Sequence, residues 1–140
     1  MTIFQDTLAL DTHGEGEITD LTPALRGAVG KSGIRRGLVH LFVNGSTAAL
    51  TTIEYESGVL QDLRDALSRL APADINYRHD RAWGDGNGRS HVKAALVGPS
   101  LTIPLIDGVL GTGTWQQVVL LELDVRQSRH RTVHCTIMGE

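Results

Sequence analysis

The sequence predicts an α+β fold, mostly antiparallel, with about seven strands and two main helices. Three observations carry this. Apolar and β-branched runs recur from the first residues to the last. Helical periodicity is confined to two stretches, after Thr22 and after Ser57. Short Gly-, Asn- and Asp-containing turns separate consecutive strands, and such turns join antiparallel neighbours. That many strands make either two packed sheets or one strongly bent sheet.

Thr2 to Leu10 alternates loosely and reads as a strand. Gly14 and Gly16 mark a turn, and Ile18 and Thr19 close a second short strand. Thr22-Pro23 is a helix start, a hydroxyl cap followed by proline at the first helical position. Ala24, Leu25, Ala28 and Val29 share a face of that helix, and Gly30 and Gly33 end it. Gly27 inside it costs ~1 kcal/mol relative to alanine, so the helix depends on packing.

Gly37 to Val43 reads as a buried strand, within which His40 is expected to be a satisfied core histidine. Asn44-Gly45 breaks it, and Ala48 to Glu54 forms the next strand. Ser57 is the expected cap of a helix carrying Val59, Leu60, Leu63, Ala66, Leu67 and Leu70 at helical spacing. A polar loop from Asn76 to His91 follows, then a short helix from Ser90 to Val97 with Ser90 as its cap. Leu101 to Leu105 is extended, and Asp107-Gly108 signals a hairpin. Trp115 to Leu123 and Thr132 to Met138 are two strong strands. Val118, Val119, Leu120 and Leu121 run without a polar residue, so that strand is covered on both faces, by the helices or by another subunit.

The 140 residues suit one domain, 1–140, and 41% hydrophobic content is ordinary for a globular chain. Aromatic residues make up only 4%, a thin core that favours oligomerisation. A net charge of -3 gives no reason to expect nucleic acid. Arg126, Arg129 and Arg131 read as a solvated turn, since no aromatic partners accompany them. The single Cys135 excludes an internal disulfide and reads as a small buried residue. The first residues show no charged leader with a long apolar run, and no segment approaches the ~20 apolar residues that span a bilayer. The expected location is therefore cytoplasmic, with no membrane partner.

Chemistry concentrates between Asn76 and His91, which holds two histidines, two aspartates and three glycines. Imidazole binds metals and moves protons near neutral pH, and carboxylates bind metals or orient imidazole. His79 and His91 lie twelve apart with Asp85 between them, a spacing that matches neither a zinc finger nor a helical His pair. Tyr77, Trp83 and Asn87 add walls and hydrogen bonds around the same loop. Elsewhere, Glu54 and Glu56 form a carboxylate pair before a helix that could bind Mg²⁺ or act as acid and base, but taken alone they read as ordinary acids near a helix N-terminus. Asn44-Gly45-Ser46-Thr47 is a turn whose hydroxyls and N–H groups could hold a phosphate or carboxylate, but in isolation it reads as a plain polar turn. Lys93 is one of two lysines and is expected to be solvated unless it meets an anion.

Four stretches taken together resemble a known family. They are Asn44-Gly-Ser-Thr-Ala-Ala-Leu-Thr-Thr-Ile-Glu54-Tyr-Glu; Tyr77-Arg-His79-Asp; Gly86-Asn87-Gly-Arg-Ser90-His91-Val-Lys93-Ala-Ala-Leu; and Ser100-Leu-Thr-Ile-Pro104 followed by Gly111-Thr-Gly113-Thr114-Trp115-Gln116. Met138-Gly139-Glu140 fits as well. In this order they resemble the YjbQ-like family, sometimes described as secondary thiamine-phosphate synthases. The resemblance implies a β-sandwich core, a homotrimer and a polar, metal-binding site. It implies His79, Glu54 and His91 as catalytic groups. It implies Asn44, Ser46, Thr47, Asn87, Ser90, Lys93 and Trp115 as substrate groups, and His79, His91 and Asp85 as ligands of a divalent Mg or Zn ion. Many members carry a histidine where this chain has Gly45, so a third imidazole ligand is missing. Glu54, Asp85, Asn44 or water would have to substitute.

The implied reaction joins an aminopyrimidine-methyl diphosphate to a thiazole phosphate and releases diphosphate, which needs a metal and cationic groups at the leaving group. The partner would then be a small phosphorylated molecule. Two alternatives use the same residues. One is a metal-dependent hydrolase of a small phosphorylated or acyl substrate. The other is a non-catalytic trimer that binds a small anion.

Overall fold

The computed structural model describes residues 1–140 as eight strands and four helices. In chain order these are β1 (Thr2–Thr12), β2 (Ile18–Asp20), α1 (Thr22–Ser32), β3 (Gly37–Asn44), β4 (Ala48–Ile53), α2 (Ser57–Leu70), α3 (Arg78–Trp83), α4 (Gly88–Val97), β5 (Ser100–Ile106), β6 (Val109–Leu110), β7 (Gln117–Glu122) and β8 (Arg129–Gly139). The α+β class is as expected. One strand and one helix exceed the sequence-based reading: β6 completes the hairpin, and α3 lies in the segment expected to be a loop, while α4 is the short helix expected from Ser90, begun at Gly88.

The strands form two antiparallel sheets, one ordered β1-β8-β3-β5-β6 and one ordered β2-β7-β4. Val39, Leu41, Val43, Val133, Cys135 and Ile137 project from the larger sheet into the main core. Val118 and Leu120 of β7 and Leu25, Ala28 and Val29 of α1 meet them there. The opposite face of the smaller sheet presents Ala49, Val119 and Leu121 to Leu60 and Leu67 of α2 and Ala94 of α4. Strand β7 is thus buried on both faces within one chain, which explains its unbroken apolar run. The covers are a sheet on one side and helices on the other. No helix is long and apolar enough to cross a membrane.

Helix starts depart from expectation in a consistent way. Thr22 does not cap α1; it is 3% exposed and its hydroxyl accepts the Val118 N–H at 2.9 Å. Asp20 instead accepts the Thr22 N–H. Gly30 is passed, and the helix stops at Gly33, whose φ of 68° is left-handed. Ser57 does not cap α2 either, because the longer Glu56 carboxylate reaches the N–H groups of Gly58 and Val59. Those bonds hold the Glu56 carboxyl below its ordinary value. Asp107-Gly108 turns β5 into β6 as expected, with both residues at positive φ.

Strand β3 is buried on one face only, so Leu38, His40 and Phe42 point outward and His40 is not a core residue. Cys135 is buried, and burial, with Asp6 nearby, pushes its thiol up to about 11.

Candidate functional site

The segment read as a loop is a helical hairpin. Tyr77 leads into α3, Gly84 ends it at φ 68°, and Asn87 leads into α4. Gly88 decides how closely the two helices meet. A Cβ there would lie 2.4 Å from Cβ of Tyr77, so only glycine permits this contact. The Gly88 N–H donates to Asp80 Oδ1 at 2.8 Å, and the Tyr77 hydroxyl donates to the Pro72 carbonyl at 2.6 Å.

This closeness brings His79 of α3 against His91 of α4, ring centroids 4.5 Å apart. His79 Nδ1 lies 3.2 Å from Asp80 Oδ1 and 3.5 Å from Asp85 Oδ1. One ligand atom from each of His79, Asp80 and Asp85 falls within 4.8 Å of the others. Such a set of one imidazole and two carboxylates suits a borderline divalent ion such as Zn²⁺ or Mn²⁺ better than Mg²⁺, which prefers oxygen and water. A hollow of about 570 Å³ opens beside the cluster, lined by His79, His91, Tyr77, Arg78 and Arg81. Sequence reasoning brought out His79, His91 and Asp85 but passed over Asp80, whose position next to His79 was the available signal.

Other expected site residues lie elsewhere. Glu54 and Trp115 line a separate hollow with Asp20, Tyr55 and Gln117. Asn44 and Ser46 are exposed on the β3–β4 turn. Thr47 is 5% exposed, and its hydroxyl donates to Asp124 Oδ2 and accepts from Arg131 Nη2, so it is structural rather than free for a ligand. Asn87 and Ser90 are likewise turned inward. The Asn87 side-chain oxygen accepts the Ser90 hydroxyl at 2.9 Å and the Val125 N–H at 3.0 Å, fixing the first turn of α4 to the β7–β8 link. Ser90 is therefore inside α4 and does not cap it.

Lys93 is not solvated. It is 6% exposed and lines a cavity of about 210 Å³ between α2, α4 and β7. Burial lowers its ammonium pKa from the ordinary value, opposed by Glu15 and assisted by Arg89. His91 and Lys93 are two residues apart on one helix, roughly 200° around it, so they serve opposite faces.

The arginine cluster also corrects the sequence reading. Arg129 pairs with Asp124 at 2.5 Å, and Arg131, 1% exposed, pairs with Glu122, which is fully buried. Arg131 Nε donates to Glu122 Oε1 at 2.7 Å, and Nη2 donates to the Thr47 carbonyl at 3.1 Å. Burial would raise the Glu122 carboxyl, but hydrogen bonds from Arg131, Thr12 and the Asp124 N–H outweigh it and hold it low. Arg131 Nη1 has no protein partner and lies 2.9 Å from where a Cβ on Gly45 would stand. The signal in the sequence was Glu122, a carboxylate directly following an apolar run, which demands a buried cation.

A family model described as UPF0047 protein YjbQ-like matches residues 6–140. A UPF0047 protein of Methanothermobacter thermautotrophicus is 35% identical over 140 residues, covering 100% of this chain and 95% of its own. UPF0047 protein YjbQ of Escherichia coli O157:H7 is 30% identical, covering 98% and 99%. The crystal structure of a YbjQ-like protein of unknown function from Sulfolobus solfataricus superimposes with a TM-score of 0.88 at 33% identity, covering 99% of each chain.

Proposed function

The chain belongs to the YjbQ-like UPF0047 family, and from that premise we propose that it is a metal-assisted enzyme acting on a small phosphorylated molecule. The juxtaposition of His79, Asp80 and Asp85 beside Arg78 and Arg81 supports this reading. His79, Asp80 and Asp85 would hold the divalent cation, which when bound neutralises charge on a phosphoryl leaving group. Arg78 and Arg81 meet the remaining phosphoryl oxygens. His91 makes no hydrogen bond through its ring and faces the same hollow, so it is the acid–base group.

The preferred reaction is the one the family resemblance implies. The methylene–oxygen bond of an aminopyrimidine-methyl diphosphate breaks, and its electron pair leaves with diphosphate. The lone pair of a thiazole nitrogen forms the new carbon–nitrogen bond. His91 gives a proton to the departing diphosphate. Purified protein incubated with both substrates and Mg²⁺, Mn²⁺ or Zn²⁺ should yield thiamine phosphate. Product no higher than that of a His79→Ala control removes this reading.

A second reading, hydrolysis of a phosphate ester, is favoured by the openness of the hollow. Arg78, Arg81 and Trp83 are exposed, so water reaches the cluster. Coupling two organic substrates through a cationic carbon needs water kept out. Hydrolysis that depends on added metal, with no coupling, selects this reading; a thermal shift with phosphate esters and no turnover selects a binder. The same proposal takes the chain as a homotrimer. Leu38 and Phe42 on the outer face of the larger sheet, with Met138 opposite Leu38, supply an apolar surface for it. Light scattering at the monomer mass would refute that.

A further inference from the structure

The cavity on the far side of α4 has its own chemistry, independent of the histidine cluster. Lys93 is 6% exposed as a residue; its ammonium forms no ion pair or hydrogen bond with the protein and opens onto the cavity instead of being sealed in the core. A cation held at the wall of a partly apolar cavity with no anion of its own is poorly compensated, and an anionic ligand would match it. The surrounding charges are already matched. Arg89 holds Glu15 through two bonds of 2.8 and 2.9 Å. Glu122, at the back of the cavity, is held by Arg131. Arg64 donates its Nε to the Gly16 carbonyl at 2.6 Å, and Glu17 takes the His13 N–H at 2.7 Å. Arg64 and Glu17 offset each other in sign, which leaves Lys93 as the cation of this wall with no carboxylate or carbonyl bonded to it.

The rest of the wall is apolar, with Ile18, Leu63, Leu67, Leu121 and Leu123. A volume of about 210 Å³ holds only a handful of heavy atoms. From this the geometry points to a binding site for a small monocarboxylate with a short, branched apolar tail, its carboxylate on Lys93 and its tail against the leucines. A phosphate dianion fits less well. It would bring two charges to one cation among three carboxylates and leave the apolar wall unused.

The test is titration calorimetry on the full chain with 3-methylbutanoate, its neutral amide and inorganic phosphate. Saturable binding of the acid is expected, weakened about tenfold or more for the amide. Lys93→Met, which keeps the length of the stem without the charge, should lose the acid to a similar degree. Ala73→Trp places a bulky ring at an exposed rim position and should block entry while the fold, read by circular dichroism, is kept. His91→Ala should bind the acid as the parent does. Equal binding of acid and amide, tighter binding of phosphate, retained affinity in Lys93→Met, or no saturable binding of the acid would each overturn the assignment.

Discussion

Replacing Arg131 with methionine should be among the most damaging single changes in this protein. The guanidinium is 1% exposed and supplies the cation for Glu122, which is fully buried, together with donors for the Thr47 carbonyl and hydroxyl. After the change, Glu122 keeps the Thr12 hydroxyl and the Asp124 N–H, but no positive charge. Removing one partner of a buried pair costs roughly 3–5 kcal/mol, because the other charge stays buried. For a chain of this size that is a fall in Tm on the order of 10 °C. Urea unfolding with a double-mutant cycle isolates the pair. Arg131→Met with Glu122→Gln should recover about 1–3 kcal/mol of the loss.

The pH dependence gives the sharper sign. In the parent, Glu122 is held below 4.5, so its contribution is present above that value and fades as pH falls through the folded value. In Arg131→Met, burial acts unopposed by the cation and raises the carboxyl above its unfolded value. The variant should then gain stability as pH falls from 7 towards 5, while the parent does not. A cost below about 1 kcal/mol, or the same pH slope in both proteins, would refute the reasoning.

Gly88→Ala should force Tyr77 and α4 apart and cost about 1–3 kcal/mol, with loss of Zn²⁺ binding measured by calorimetry; unchanged binding would show that the close helix contact is not what assembles the cluster. Leu120→Ala empties a fully buried position between the sheets and should cost about 2–5 kcal/mol in urea unfolding. Cys135, with its thiol near 11 instead of 9.0, should resist a disulfide reagent at pH 8 and react fully once the chain is unfolded.

Periodicity made most of the fold legible. The run Val118 to Leu121 announced a strand covered twice, and Asp107-Gly108 announced its hairpin. Two kinds of feature were hidden. Helix α3 is six residues long, with glycines on its C-terminal side, too short for a periodic pattern to form. Caps were misassigned because a carboxylate one residue earlier, as at Glu56, competes with the serine the rule favours. At the site, His79, His91 and Asp85 could be read because their side chains advertise the chemistry. Asn87, Ser90 and Thr47 share that polarity, yet their hydrogen bonds are spent inside the protein, and only packing reveals it. Arg131 escaped for the opposite reason, since its cation is matched by a residue nine positions earlier on another strand.

Strand order carries a consequence for synthesis. In the larger sheet β8 lies between β1 and β3, and in the smaller one β7 lies between β2 and β4. The strand that joins earlier neighbours in each sheet is thus among the last to be made, and Thr2 waits for Gly139 as its partner. Until residues 117–139 emerge, β1, β2 and β4 have no strand partner and β3 is paired on one edge only, with β5. Such long-range pairing slows folding and exposes the waiting strands to association with other chains. The cell's handling of the nascent chain is therefore as much a constraint on this sequence as the stability of the finished protein.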